Sequence, residues 1–178
     1  MIYRLSSFLG RFFRNSDGTA TVEFVLVFPA FMILFVSAFE AGLMMTRHAM
    51  LERALDMTVR AVQLNTATAP THDQLKRMIC NGAGILPDCM DNLRLEMVSI
   101  DPRDWQDFER EADCQDADQP YRPVRNFQNG QQNQLMLLRA CSLFDPIFPS
   151  TGLGKQLSSG AQSQYALVSL SAFVMEPL

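Results

Sequence analysis

Few residues in this chain have the type and spacing to do chemistry, and the most telling pair is a glycine with a glutamate five residues later, Gly18-Thr19-Ala20-Thr21-Val22-Glu23. Glu23 stands at the mouth of an apolar run that holds no further charge until Glu40. An ionised side chain in a bilayer costs roughly a few kcal/mol unless it is paired, so Glu23 reads as a functional group in want of a partner. His48 and His72 are the only histidines, too few for a zinc ligand set and with no serine or cysteine placed beside either for a nucleophilic triad. No G-x-S-x-G, H-E-x-x-H or P-loop pattern occurs. Asp113, Asp116 and Asp118 supply carboxylates, yet a calcium loop begun at Asp116 meets Tyr121 where glycine is required. A solvated acidic loop is the expectation there, and the chain as a whole is expected to carry no cofactor, no metal and no enzymatic activity.

The four cysteines, Cys80, Cys89, Cys114 and Cys141, follow the apolar run and lack the CxxC spacing of zinc knuckles and thioredoxin sites. An even number in an exported domain reads most simply as two disulfides, which implies an oxidising compartment. Three connectivities are possible. Short loops close more readily, which favours Cys80 with Cys89 and Cys114 with Cys141; buried free thiols are the alternative.

Residues 24–39 contain no charge, and extension to Thr46 leaves only Glu40 as an interruption. At about 1.5 Å per residue such a helix crosses a hydrocarbon core of about 30 Å. Arg4, Arg11 and Arg14 precede it, so the short N-terminal arm is expected in the cytoplasm and the long body outside. A conventional secretory signal fits poorly, because Ala38-Phe39-Glu40-Ala41 puts a carboxylate at the would-be cut. Pro29 removes one helical hydrogen bond within the span, and Ala38 with Gly42 forms a small-xxx-small pair. The formal charge is −4; the first 18 residues hold three arginines against Asp17, which leaves −6 for the rest. An acidic body with two lysines argues against nucleic acid as a partner.

Beyond the span, Met44, Leu51, Leu55, Thr58 and Val62 form one helical stripe, with Asp56 and Arg60 an i,i+4 pair on another face. The helix is expected to run on out of the bilayer and stop near residues 65–70. Thr71-His72-Asp73-Gln74 predicts a capping box, and Asn81-Gly82 the end of that second helix. Strands are expected at Leu93-Arg94-Leu95-Glu96-Met97, at residues 135–140 as a central strand, and at residues 165–174. Residues 101–133 form a polar stretch around Trp105, with Asn129-Gly130 marking a turn and a possible hairpin; residues 145–154 form a loop whose apolar residues pack on the domain or touch a partner. The fold class is therefore α+β: one membrane helix extending into a domain with a small antiparallel sheet of three or four strands.

The arginine-bearing leader, Gly18, Thr19 as a new N-terminus, Glu23 as its fifth residue and Phe24-Val25-Leu26-Val27-Phe28-Pro29 resemble a type IV prepilin processing region. With Arg47-His48-Ala49-Met50-Leu51-Glu52-Arg53-Ala54 and the ending Leu167-Val168-Ser169-Leu170-Ser171-Ala172-Phe173-Val174-Met175-Glu176-Pro177, the chain resembles the TadE-like minor pilins of tight-adherence pilus systems. The resemblance implies a basic leader over residues 1–18, a transmembrane helix over 19–46 and a periplasmic domain over 47–178. It also implies that a membrane-embedded prepilin peptidase cuts between Gly18 and Thr19, with other pilins and minor pilins of the system and the inner membrane as further partners. In related pilins the glutamate pairs with the N-terminal amine of a neighbouring subunit, the partner that Glu23 lacks. The expected function is that of a non-enzymatic minor pilin or pseudopilin. The other reading is an uncleaved single-pass protein whose periplasmic domain binds further parts of the secretion machinery.

Overall fold

The apolar run and the stripe that follows it form one continuous helix, α1, over Thr19–Leu64, with Pro29 inside it. The computed structural model describes residues 19–64, 70–103, 112, 114, 127–157 and 164–176. The arginine-bearing residues 1–18, read above as a leader ending at Gly18, the acids Asp113, Asp116 and Asp118, and Trp105 lie outside the described residues. Along α1 the surroundings change character near Val36. Residues 20–35 are exposed all round, which is where the residues bearing large apolar side chains concentrate. From Val36 onward one face is covered, and Leu51, Ala54, Leu55, Thr58, Val59 and Val62 are buried. Burial at spacings of three and four is what a 3.6-residue repeat produces when one stripe meets a core.

Helix α2, His72–Ala83, begins as its sequence requires: the Thr71 hydroxyl accepts from the Gln74 amide while the Gln74 side chain accepts from the Thr71 amide. Its end differs from the expected Asn81-Gly82. The helix runs one residue further and stops at Gly84, whose φ of 30° lies in the left-handed region open to glycine. Gly82 serves packing instead, since a Cβ there would sit 3.2 Å from the Cβ of Ala54 on α1. A short turn of helix, α3 (Cys89–Asn92), leads into β1 (Leu93–Ser99). Strands β2 (Leu135–Phe144) and β3 (Tyr165–Val174) complete an antiparallel sheet of order β1-β2-β3, with the short helix α4 (Gly152–Leu157) between them.

Register decides which face of each strand meets α1. Pairs such as Leu95 with Ala140 and Phe144 with Tyr165 lie on the inner face, where Leu138, Leu167 and Phe173 join α1 and α2 in one core. Burial of this kind contributes about 25 cal/mol per Å² of apolar surface removed from water. On the outer face Glu96 stands opposite Arg139, and the two pair at 3.5 Å. Cys141 is on that face too and is bonded to Cys114, while Leu137 and Leu143 beside it are buried. β3 turns Val168, Leu170 and Val174 outward and exposed.

Two further expectations change. Asn129-Gly130 makes no hairpin: Phe127 bridges Met97 in parallel, the Gln128 amide donates to the Met97 carbonyl, and Gly130 lies against Met136 and Met175. The turn comes later, where the Gln134 amide donates to the Gln131 carbonyl and Asn133 takes a φ of 61°. Asp56 and Arg60 do not form an ion pair; the Ser171 hydroxyl donates to Asp56 across to β3 at 3.4 Å.

Candidate functional site

Two acids punctuate the N-terminal half of α1, and their surroundings differ. Glu23 lies on the exposed part of the helix and has no hydrogen bond or ion pair among the described residues. Thr19 is the first residue of α1, four positions before it. Glu40 is 1% exposed and fully engaged. Its carboxylate accepts from the Ile147 amide at 3.1 Å to each oxygen and from the Phe148 amide at 3.3 Å. Bonds to a charged acceptor are about twice as strong as neutral ones, so this carboxylate is well compensated for leaving water.

The same loop holds the helix at a second point one turn lower. The Leu153 amide donates to the Ser37 hydroxyl at 3.2 Å, and that hydroxyl donates to the Ile33 carbonyl at 2.7 Å. Gly152, with φ 55°, comes so close that a Cβ there would collide with the Ser37 oxygen. Phe148 meets Phe39 edge-on with ring centres 6.5 Å apart. Above Glu40, Arg47 stacks over Phe144 at 5.1 Å and donates to the Tyr165 hydroxyl at 3.1 Å. Residues 145–157 therefore clasp α1 where its free part ends.

The remaining candidates are structural in placement. Cys80 is bonded to Cys89 and ties the end of α2 to α3; Cys114 is bonded to Cys141 and ties the segment after β1 to the outer face of β2. His48 lies 3.2 Å from the Val168 carbonyl and 3.7 Å from Glu52. His72 packs edge-on against Phe127 and lies 3.2 Å from Asp73. Ala38 and Gly42 are exposed, and a Cβ on Gly42 would meet nothing within 4 Å. Lys76 is buried, and its ammonium is held below the usual lysine value by desolvation and then by Arg94, against the pull of Asp91 and Asp73. Among the described residues no three histidine, cysteine or acidic side chains gather to hold a metal.

Of the other sequence-predicted site residues described, the structure thus keeps only Thr19 near Glu23, one turn away on α1, and the engaged acid is Glu40, which the sequence marked as a mere interruption. The signal for it was present, because a lone carboxylate in an apolar helix needs donors. α1 is long and apolar enough to cross a membrane. Comparison with known proteins adds one finding: no curated protein and no solved structure matches the chain, whereas residues 18–60, about a quarter of its length, match the family model described as TadE-like protein.

Proposed function

We infer that this chain is a non-enzymatic, membrane-anchored component of a tight-adherence pilus system, a minor pilin or pseudopilin. The observation that carries the reading is the TadE-like match over residues 18–60, which falls on the helix bearing an unengaged Glu23. In this reading a prepilin peptidase removes residues 1–18, and the cut leaves a cationic amine on Thr19. The arginines of the leader stay in the cytoplasm, the apolar N-terminal part of α1, within residues 19–46, spans the inner membrane, and the disulfide-bonded domain lies in the periplasm. Glu23 then pairs with the Thr19 amine of a neighbouring pilin, which offsets the cost of each charge in lipid. A helix is suited to this because a turn of about 5.4 Å separates Thr19 from Glu23, so adjacent subunits staggered along their axes bring the two ends together.

The test has two parts. Mass spectrometry of the mature protein is expected to find Thr19 at its N-terminus; a persistent segment 1–18 would reject processing and favour an uncleaved protein that binds other parts of the machinery. Glu23→Gln keeps the shape and removes the charge, so leader removal and insertion should persist while pilus assembly is lost. Normal piliation in that variant discards the pairing.

A further inference from the structure

Helix geometry fixes how deep the clasp on α1 must sit. Asp17 and Glu40 bound a stretch whose only other charge is Glu23, and about 20 residues are needed to cross a core of about 30 Å. A span begun at Thr19 therefore ends near Phe39, beside Glu40. Ile33 lies seven residues before Glu40, about 10 Å nearer the bilayer centre. Residues 145–157 touch α1 over that whole interval, from Glu40 through Ser37 to the neighbourhood of Ile33. A segment held there lies within the outer boundary of the bilayer, which is where amphipathic elements bury to a depth of about 5–10 Å.

The chemistry of the segment suits that depth. Ile147 is 46% exposed, Pro149 is exposed, and Phe148 and Leu153 are half-buried, while Phe39 beside them on α1 is 50% exposed. In water these make an apolar patch; at the acyl boundary they are solvated. Backbone amides at such a depth must find acceptors within the protein. Five of them do: Ile147 and Phe148 donate to Glu40, Leu153 to Ser37, Thr151 to the Phe148 carbonyl and Lys155 to the Thr151 carbonyl. Lys155 is exposed at the end of α4, on a stem long enough to carry its ammonium to the headgroups.

We propose that residues 145–157 are a lipid-contacting foot, fastened to α1 by Glu40 and Ser37, which rests the exported domain on the outer leaflet at a set height and tilt. The proposal rests on the reading of α1 as a membrane span. Its occupant is the bilayer itself, and a neighbouring protein in that place is the competing outcome.

The test uses the full chain at low density in phosphatidylcholine–phosphatidylglycerol vesicles. In a Trp105→Phe background, single reporters are introduced as Ile147→Trp, Pro149→Trp, Val27→Trp and Leu64→Trp, and quenching by lipids brominated high on the acyl chain is read. The Ile147→Trp and Pro149→Trp proteins are expected to emit blue-shifted and to lose on the order of half their intensity, as Val27→Trp does, whereas Leu64→Trp, at the far end of α1, keeps its own. Two foot reporters guard against one substitution disturbing the loop. Quenching of Val27→Trp with both foot reporters as unquenched as Leu64→Trp overturns the foot and leaves the span standing. Absence of quenching at Val27→Trp overturns the span and the foot together.

Discussion

Glu23 and Glu40 share one helix, and each would be costly in an apolar setting if left alone. The difference lies in donors. Glu40 takes two backbone amides from a loop more than a hundred residues away, and Glu23 takes none from the described part of its own chain. Removing the Glu40 carboxylate strands those amides at a half-buried site, so Glu40→Ala should cost about 2 kcal/mol, the range for bonds to a charged group. Hydrogen exchange checks this: the amides of Ile147 and Phe148 are expected to exchange on the order of tenfold faster or more, with those of β2 little changed. Lys76 gives a residue-scale prediction in pH. Its folded-state value lies below the ordinary 10.5, so the unfolded chain holds the proton more tightly and burial penalises the charged amine at neutral pH. Stability should rise as pH climbs from the folded value toward 10.5. Lys76→Met, measured against the parent by thermal unfolding, should lose that part of the alkaline rise and gain stability at pH 7.

At the scale of elements, the clasp works because α4 begins with a residue that has no side chain. Gly152 adopts φ 55° directly against Ser37, so an added Cβ meets both left-handed strain and a collision. The strain alone is of the order of 1–2 kcal/mol for an alanine. Gly152→Ala should therefore destabilise by more than that, and Ser37→Ala should relieve the collision but not the strain. In a double-mutant cycle by chemical denaturation the pair is expected to cost less than the sum of the singles; strict additivity would mean that the two residues do not meet. The elements themselves were largely legible. A period-3.6 apolar stripe marked α1 well past its all-round apolar run, the threonine–glutamine box marked α2, and alternation marked β1 and β3, because each signal is local to the element it builds. The end of α2 was misplaced by the appeal of Asn81-Gly82. Gly82 is needed for close contact with Ala54, a demand made by another helix and therefore invisible in its own neighbourhood.

At the scale of the molecule, one sheet is laid across the C-terminal half of α1, with two covalent ties at its margins. The ties differ in reach, spanning nine residues in one case and 27 in the other. Loop-closure entropy grows slowly with length, so each is worth about 2–4 kcal/mol, the longer somewhat more. Replacing Cys114 and Cys141 together by serine should lower the denaturation midpoint more than replacing Cys80 and Cys89, and differential scanning measurements of the two double variants decide it. The two parts of α1 differ in pattern: the first carries exposed apolar residues on every side, long and apolar enough to cross a membrane, and the second carries them on one stripe, as a sheet requires.

The sequence by itself determined that α1 begins apolar all round and continues with a single stripe, and which segments alternate as strands, since these are matters of composition and short-range period; the point near Val36 where cover begins came from the fold. Tertiary structure alone decided what becomes of the charges. Whether a carboxylate in an apolar helix is engaged or left waiting depends on which distant amides reach it, and the donors for Glu40 lie 107 and 108 residues further along the chain. No window of sequence contains both partners. The loop at residues 145–154 was legible as a loop, but the helix α4 that begins at Gly152 was not; only the fold made residues 145–157 the clasp of α1 and left Glu23 without a partner among the described residues.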